Sequence, residues 1–141
     1  MHDSSTLRGK NAIITGATRG IGLAIARGFL ARGATVTLCG RHSTGIEQAL
    51  AELADYGTQV GGRCAHVGKQ EDLRELVNQA ESRFGPVNLL VNNAGTNPYY
   101  GPLLDSEEWA WDKTMDVNLK GPYLLSKMVA NQMTSGGSGS I

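Results

Sequence analysis

Thr15-Gly16-Ala17-Thr18-Arg19-Gly20-Ile21-Gly22 is the stretch whose reading decides the fold. It leaves a short apolar run at 12–15 and opens an apolar helical segment, the strand–turn–helix setting that a phosphate-binding loop requires. Without a Cβ, Gly16 can take a tight turn, Gly20 lets backbone N–H groups approach a pyrophosphate, and Gly22 permits close helix-to-strand packing. The helix N-terminus adds partial positive charge. The spacing, TGxxxGxG, puts one more residue between the first two glycines than GxGxxG does. A purely structural glycine turn is the alternative.

Outward from this loop, short strand-like runs alternate with longer helical ones, the pattern of a parallel sheet wrapped by helices. Strands are expected at 12–15, 35–39, 60–67 and 87–91. Ile21, Ile25 and Phe29 recur at helical spacing, with Ala24 and Gly28 small enough for close packing. Ile46, Ala49, Leu50 and Leu53 make a second helical stripe, capped by Ser43 and stopped by Gly57. Leu73, Leu76, Val77, Ala80 and Phe84 make a third, with Glu71 and Asp72 in its first turn and Gly85-Pro86 ending it. From 106 to 133 the periodicity is helical again, in two pieces, before a Gly/Ser run at 136–140. No repeat or interdomain linker interrupts the chain.

Composition narrows the partners. Of 141 residues, 13 are basic and 13 acidic, 18% are charged and 40% hydrophobic, which excludes a disordered charged tail. No apolar run approaches the ~18 residues of a spanning helix. Zero net charge without a Lys/Arg block argues against nucleic acid or an anionic membrane surface and favours a small-molecule partner. Nineteen glycines, against roughly ten at average usage, point to repeated turns and close approaches. Cys39 and Cys64 lack CxxC spacing, residues 1–9 carry no apolar signal core, and no metal-ligand pattern is present, so a reduced, cytoplasmic protein without a metal is expected.

The end of the second strand selects the cofactor. In dinucleotide sites an acid there accepts from the ribose 2′-hydroxyl; here the residues are Cys39-Gly40-Arg41-His42, with no acid before Glu47. Arg41 is placed to meet a 2′-phosphate, and Arg19 joins it from the glycine loop. A charged hydrogen bond of about 1.5–3 kcal/mol gives each a preference of roughly tenfold to a hundredfold. NADP(H) is therefore expected rather than NAD(H). Two solvated surface arginines are the alternative.

With Asn92-Asn93-Ala94-Gly95 after the fourth strand and Asp116-Val117-Asn118 in the later helical stretch, the chain resembles the N-terminal part of a classical short-chain dehydrogenase/reductase. The resemblance implies a Rossmann-type doubly wound parallel α/β sheet, here four strands and the long helix carrying Asn118, so that residues 1–141 form a partial NAD(P)-binding domain. It implies hydride transfer between nicotinamide and a carbonyl or alcohol, and a homo-oligomer in the full-length form. It places Gly16, Thr18, Arg19 and Ile21 along the pyrophosphate and ribose, Asn93, Ala94 and Gly95 near the adenosine ribose, and His66-Val67 at the adenine, where the family usually has Asp-Val or Asn-Val. A core or surface role for His66 is the alternative. Asn118 is the catalytic member, its main-chain carbonyl holding a water that relays protons to the active-site lysine. Pro122 would free that carbonyl, because proline has no N–H to offer the residue four before it; a simple kink is the alternative.

The segments 64–69, 97–101 and 111–114 look most like NADP-dependent carbonyl and retinal reductases, with 3-oxoacyl-carrier-protein reductases as the alternative substrate class. The family's serine follows a fifth strand, and its YxxxK comes about a dozen residues later. The chain reaches Gly139-Ser140-Ile141 where that strand would begin, so Ser138 and Ser140 are not catalytic, and the chain alone is expected to be inactive and marginally stable. Tyr123-Leu124-Leu125-Ser126-Lys127 does spell YxxxK, but it lies five residues after Asn118, about 140° around the same helix, and is expected to be a rim with tyrosine packed and lysine solvated. A noncatalytic NADP-binding module, or an interaction fragment docking through a sheet edge or the long helix, is the competing reading.

Overall fold

The computed structural model describes residues 6–141; most of the stretch read for a signal core lies outside them. Four strands, β1 (Asn11–Thr15), β2 (Thr35–Gly40), β3 (Val60–Cys64) and β4 (Leu89–Val91), form one parallel sheet in the order β3-β2-β1-β4. The helices are α1 (Gly20–Ala31), α2 (Ser43–Glu52), α3 (Gln70–Phe84), α4 (Glu108–Met115) and α5 (Gly121–Ser135). Side chains alternate across a strand, so β1 feeds both cores. Ala12 and Ile14 pack with Leu23, Ala26 and Leu30 of α1 and Ile46 and Ala49 of α2. Ile13 packs on the other face with Leu73, Leu76 and Val77 of α3 and Leu125 and Val129 of α5. A sheet covered on both faces is the doubly wound arrangement expected of an all-parallel strand set.

Several boundaries differ from the sequence reading. In α1 the buried face is Gly22, Leu23, Ala26 and Leu30; Ile21 is 74% exposed, Ala24 is exposed, and Ile25 and Phe29 are only partly covered. The segment is apolar nearly all round, so periodicity cannot choose its inner face. Gly28 faces open space apart from the Arg32 guanidinium and makes no close packing. Ser43 is the first helical residue of α2, with His42 at the N-cap and no side-chain cap bond. The helix stops at Glu52, and Gly57, at φ 53°, lies within the 3-10 segment Ala54–Gln59 that follows.

β3 ends at Cys64, three residues early, because its neighbour ends: Gly40, the last residue of β2, pairs with Cys64. The Ala65 N–H still donates to the Gly40 carbonyl at 2.9 Å. Val87 and Asn88 precede β4 rather than joining its ladder, their N–H groups donating to Gln132 Oε1 (2.7 Å) and the Asn11 carbonyl (2.9 Å). The 106–133 helical stretch does divide into two helices, joined by the π-helical turn Asp116–Lys120. On the outer side of β4, Ser140 makes an isolated parallel bridge with Leu89; its N–H donates to the Asn88 carbonyl and its carbonyl accepts from Leu90, both at 3.0 Å.

Candidate dinucleotide site

A cleft of about 370 Å³ opens at the C-terminal ends of β1, β2 and β3. This is where open α/β sheets bind ligands, at the point where the strand order reverses: β2 and β3 lie to one side of β1, and the chain then crosses to β4 on the other. The glycine loop forms its floor. Gly16 sits at φ 62°, and a Cβ there would press on the Ala94 Cα and Asn93 Nδ2, each 3.0 Å away. Gly20, at φ 57°, has nothing within 4 Å of a Cβ position, so its backbone is open to a close-lying ligand. The first turn of α1 has no side-chain cap and no acid, leaving its N–H donors and dipole free for an anion.

Gly22 works behind the cleft. A Cβ at this position would overlap the Gly16 carbonyl oxygen and lie 2.7 Å from Asn93 Nδ2, so the close approach is to the turn and to Asn93 rather than to the strand. Asn93 completes that support, Nδ2 donating to the Thr15 and Gly16 carbonyls at 3.0 Å each. Thr15 latches the two segments together: its buried hydroxyl accepts from the Asn93 N–H (3.1 Å) and the Ala94 N–H (3.0 Å). Sequence reasoning placed Thr15 at the junction of strand and loop but gave its hydroxyl no role; a polar side chain ending a buried strand beside a glycine turn was the available signal.

Gly16, Thr18, Arg19, Gly20, Ile21, Arg41, His66, Val67, Asn93, Ala94 and Gly95 all line the cleft. Of the expected site residues, Gly22 and Asn118 do not. Asn118 instead clamps the next segment of the wall, Oδ1 accepting the Thr96 N–H and Nδ2 donating to the Thr96 carbonyl, both at 2.8 Å. It stands within the π-turn, where the Gly121 N–H reaches back five residues to the Asp116 carbonyl, and Pro122 has no N–H to offer the Asn118 carbonyl. Lys113, Thr96 and Val117 also line the cleft and escaped the sequence reading. Lys113 and Val117 stand one helical turn apart, a spacing that identifies a shared face but not what the face meets.

The lining contains three cations, Arg19, Arg41 and Lys113, and no carboxylate. None of the three forms an ion pair or side-chain hydrogen bond among the described residues. Cys39 forms part of the wall, and burial pushes its thiol up to about 12. Open N–H donors, cations and a glycine whose Cβ space is empty fit a dinucleotide with its pyrophosphate. Tyr123, 59% exposed, and Lys127, also exposed, lie outside the cleft; the tyrosine is therefore solvated rather than packed. Among the described residues there is no cluster of three metal-ligating side chains, and no helix is long and apolar enough to cross a membrane.

Comparison with known proteins agrees with this geometry. The family model for short chain dehydrogenase matches residues 10–141. Dehydrogenase/reductase SDR family member 4 of Pongo abelii is 43% identical over 135 residues, covering 96% of this chain and 49% of the relative; its Caenorhabditis elegans counterpart is 39% identical, covering 94% and 52%. The chain thus spans about half the length of the curated relatives it matches. A metagenomic short-chain oxidoreductase solved in complex with NADP superposes with a TM-score of 0.88 at 33% identity, covering 96% of this chain and 61% of that one. The 3-ketoacyl-(acyl-carrier-protein) reductase of Brucella melitensis, complexed with NADH, gives 0.87 at 32%, covering 94% and 53%. With its glycine loop, its Asn-Asn-Ala-Gly wall and its π-turn in place on a doubly wound parallel sheet, the chain belongs to the short-chain dehydrogenase/reductase family.

Proposed function

We propose that residues 1–141 form the cofactor-binding portion of an NADP(H)-dependent oxidoreductase that interconverts a carbonyl and an alcohol. One observation carries the choice of NADP(H): Arg41 and Arg19 line the cleft with neither an ion-pair partner nor a lining carboxylate among the described residues. An acid at the end of β2 would accept from a ribose 2′-hydroxyl; an arginine repays a 2′-phosphate instead. When bound, the nicotinamide supplies or accepts the hydride. The chain's own residues bind the pyrophosphate at the α1 N-terminus, hold the Asn93–Thr96 wall and, at the Asn118 carbonyl, offer an acceptor that can hold a proton-relaying water.

In this reading the isolated chain binds cofactor without turning substrate over, because neither Tyr123 nor Lys127 reaches the cleft. A 3-oxoacyl thioester on a carrier protein is the second substrate class, supported by the likeness to the Brucella reductase. A reduced, cytoplasmic setting is supported by the free thiols of Cys39 and Cys64. Homo-oligomerisation of the full-length form is supported by Trp109, Trp111, Leu119 and Tyr123, all more than half exposed along α4 to α5. Dissociation constants for NADP and NAD, measured on the wild type and on Arg41→Asp, test the cofactor. The wild type should prefer NADP by roughly tenfold to a hundredfold, and the variant should lose at least tenfold of that ratio. An unchanged ratio overturns the NADP(H) reading.

A further inference from the structure

We propose that His66 reads the cofactor's purine as a hydrogen-bond donor through Nε2–H, so that the cleft accepts a 6-oxo purine as readily as a 6-amino one. This rests on the dinucleotide reading above. Crossing the sheet from β1 to β2 to β3 leads from the glycine loop, past Arg41, to His66 and Val67, so the phosphate, ribose and base regions follow in that order and His66 stands at the base end.

The imidazole is held by its own turn. Gly68 donates its N–H to His66 Nδ1 at 3.1 Å, and a Cβ on Gly68 would meet the same ring at 3.1–3.2 Å. An Nδ1 that accepts carries no proton, so the neutral ring carries its proton on Nε2. Among the described residues Nε2 has no hydrogen-bond partner. Two acids lie nearby but outside the lining: Asp72 Oδ2 accepts the His66 backbone N–H at 2.7 Å, and Asp116, whose Cβ lies near Gly68, pairs with Lys120 at 3.6 Å. Among the described residues the lining near His66 also carries Lys113 of α4 and no carboxylate, so this end of the cleft offers donors. Donors favour unprotonated ring nitrogens and a 6-oxo oxygen, whereas a 6-amino group gains from an acceptor.

The test is binding of NADP and of nicotinamide hypoxanthine dinucleotide phosphate, measured by calorimetry on the full chain and on His66→Asp and His66→Gln. The wild type should bind the two within about threefold of each other. His66→Asp, which supplies an acceptor, should prefer the adenine form by about tenfold or more. His66→Gln, which keeps a donor, should stay near the wild-type ratio. A wild type that rejects the hypoxanthine form by tenfold, or a ratio unmoved in His66→Asp while NADP still binds, overturns the inference and leaves the dinucleotide reading intact. Failure of the folded wild type to bind either ligand overturns both.

Discussion

Replacing Thr15 with valine removes one hydroxyl and almost no volume, yet it should unlatch the glycine loop from the wall opposite. The hydroxyl is the acceptor for two backbone N–H groups, those of Asn93 and Ala94, and itself donates to the Val91 carbonyl at 3.4 Å. An N–H stranded without a partner costs about 1–3 kcal/mol. Because Asn93 and Ala94 are only half-buried, water recovers part of this, and the lower half of the range applies to each. The extra methyl returns about 0.8 kcal/mol. The net loss is about 1–3 kcal/mol, a large share of a typical 5–15 kcal/mol, and corresponds to a melting temperature lower by roughly 3–12 °C. Thermal unfolding followed by circular dichroism, with and without NADP, measures it. Asn93 and Ala94 also line the cleft, so the NADP-induced rise in Tm should shrink with stability. Thr15→Ser keeps the hydroxyl and should retain most of both. A Thr15→Val protein melting within about 2 °C of wild type, or a Thr15→Ser protein equally damaged, would refute the latch.

Three further outcomes are expected. The isolated chain should oxidise no NADPH with a panel of ketones or a 3-oxoacyl thioester; turnover abolished by Tyr123→Phe would show that the surface pair is catalytic after all. Cys39 is buried and its thiol is pushed up to about 12, chiefly by desolvation, whereas Cys64 is exposed. At pH 8 iodoacetamide should therefore label Cys64 alone, with Cys39 reacting only after unfolding, as mass spectrometry can score. The folded state holds the Cys39 proton more tightly than the unfolded state. This contribution to stability is therefore full below about pH 9 and declines as pH rises toward 12; a Cys39→Ala variant should lose that alkaline slope.

Much of the architecture was legible because it depends on local chemistry. The glycine loop announces itself through its setting between a strand and a helix, and β1 through an apolar run too continuous for a half-exposed strand. Gly85 and the break before Pro122 mark their turns by what those residues can and cannot do with the backbone. The site was legible as far as residue types next to the loop could carry it: Arg19 and Arg41, singled out by charge, both line the cleft.

The remaining features come from contacts between segments distant in sequence. The inner face of α1 depends on Gly22 lying against the Gly16 carbonyl and Asn93, which outweighs a plausible stripe of Ile21, Ile25 and Phe29. β3 stops where β2 gives out, because a ladder needs a partner that β3's own residues do not specify. Asn118 bonds to Thr96 and Lys113 faces the cleft because the π-turn sets the rotation of α4 and α5 against the sheet, and one residue of helical phase moves a side chain by about 100°. The chain by itself therefore determines a phosphate-binding strand–turn–helix, an arginine where NAD-binding sites place an acid, and the order of strands and helices along the sequence. Only the tertiary structure decides that Thr15 latches the loop to the wall, that His66 Nδ1 accepts the Gly68 N–H, and that Tyr123 stands in solvent. Backbone conformation is set by near neighbours, whereas a side chain's partner is set by whichever distant surface the packed sheet brings to it.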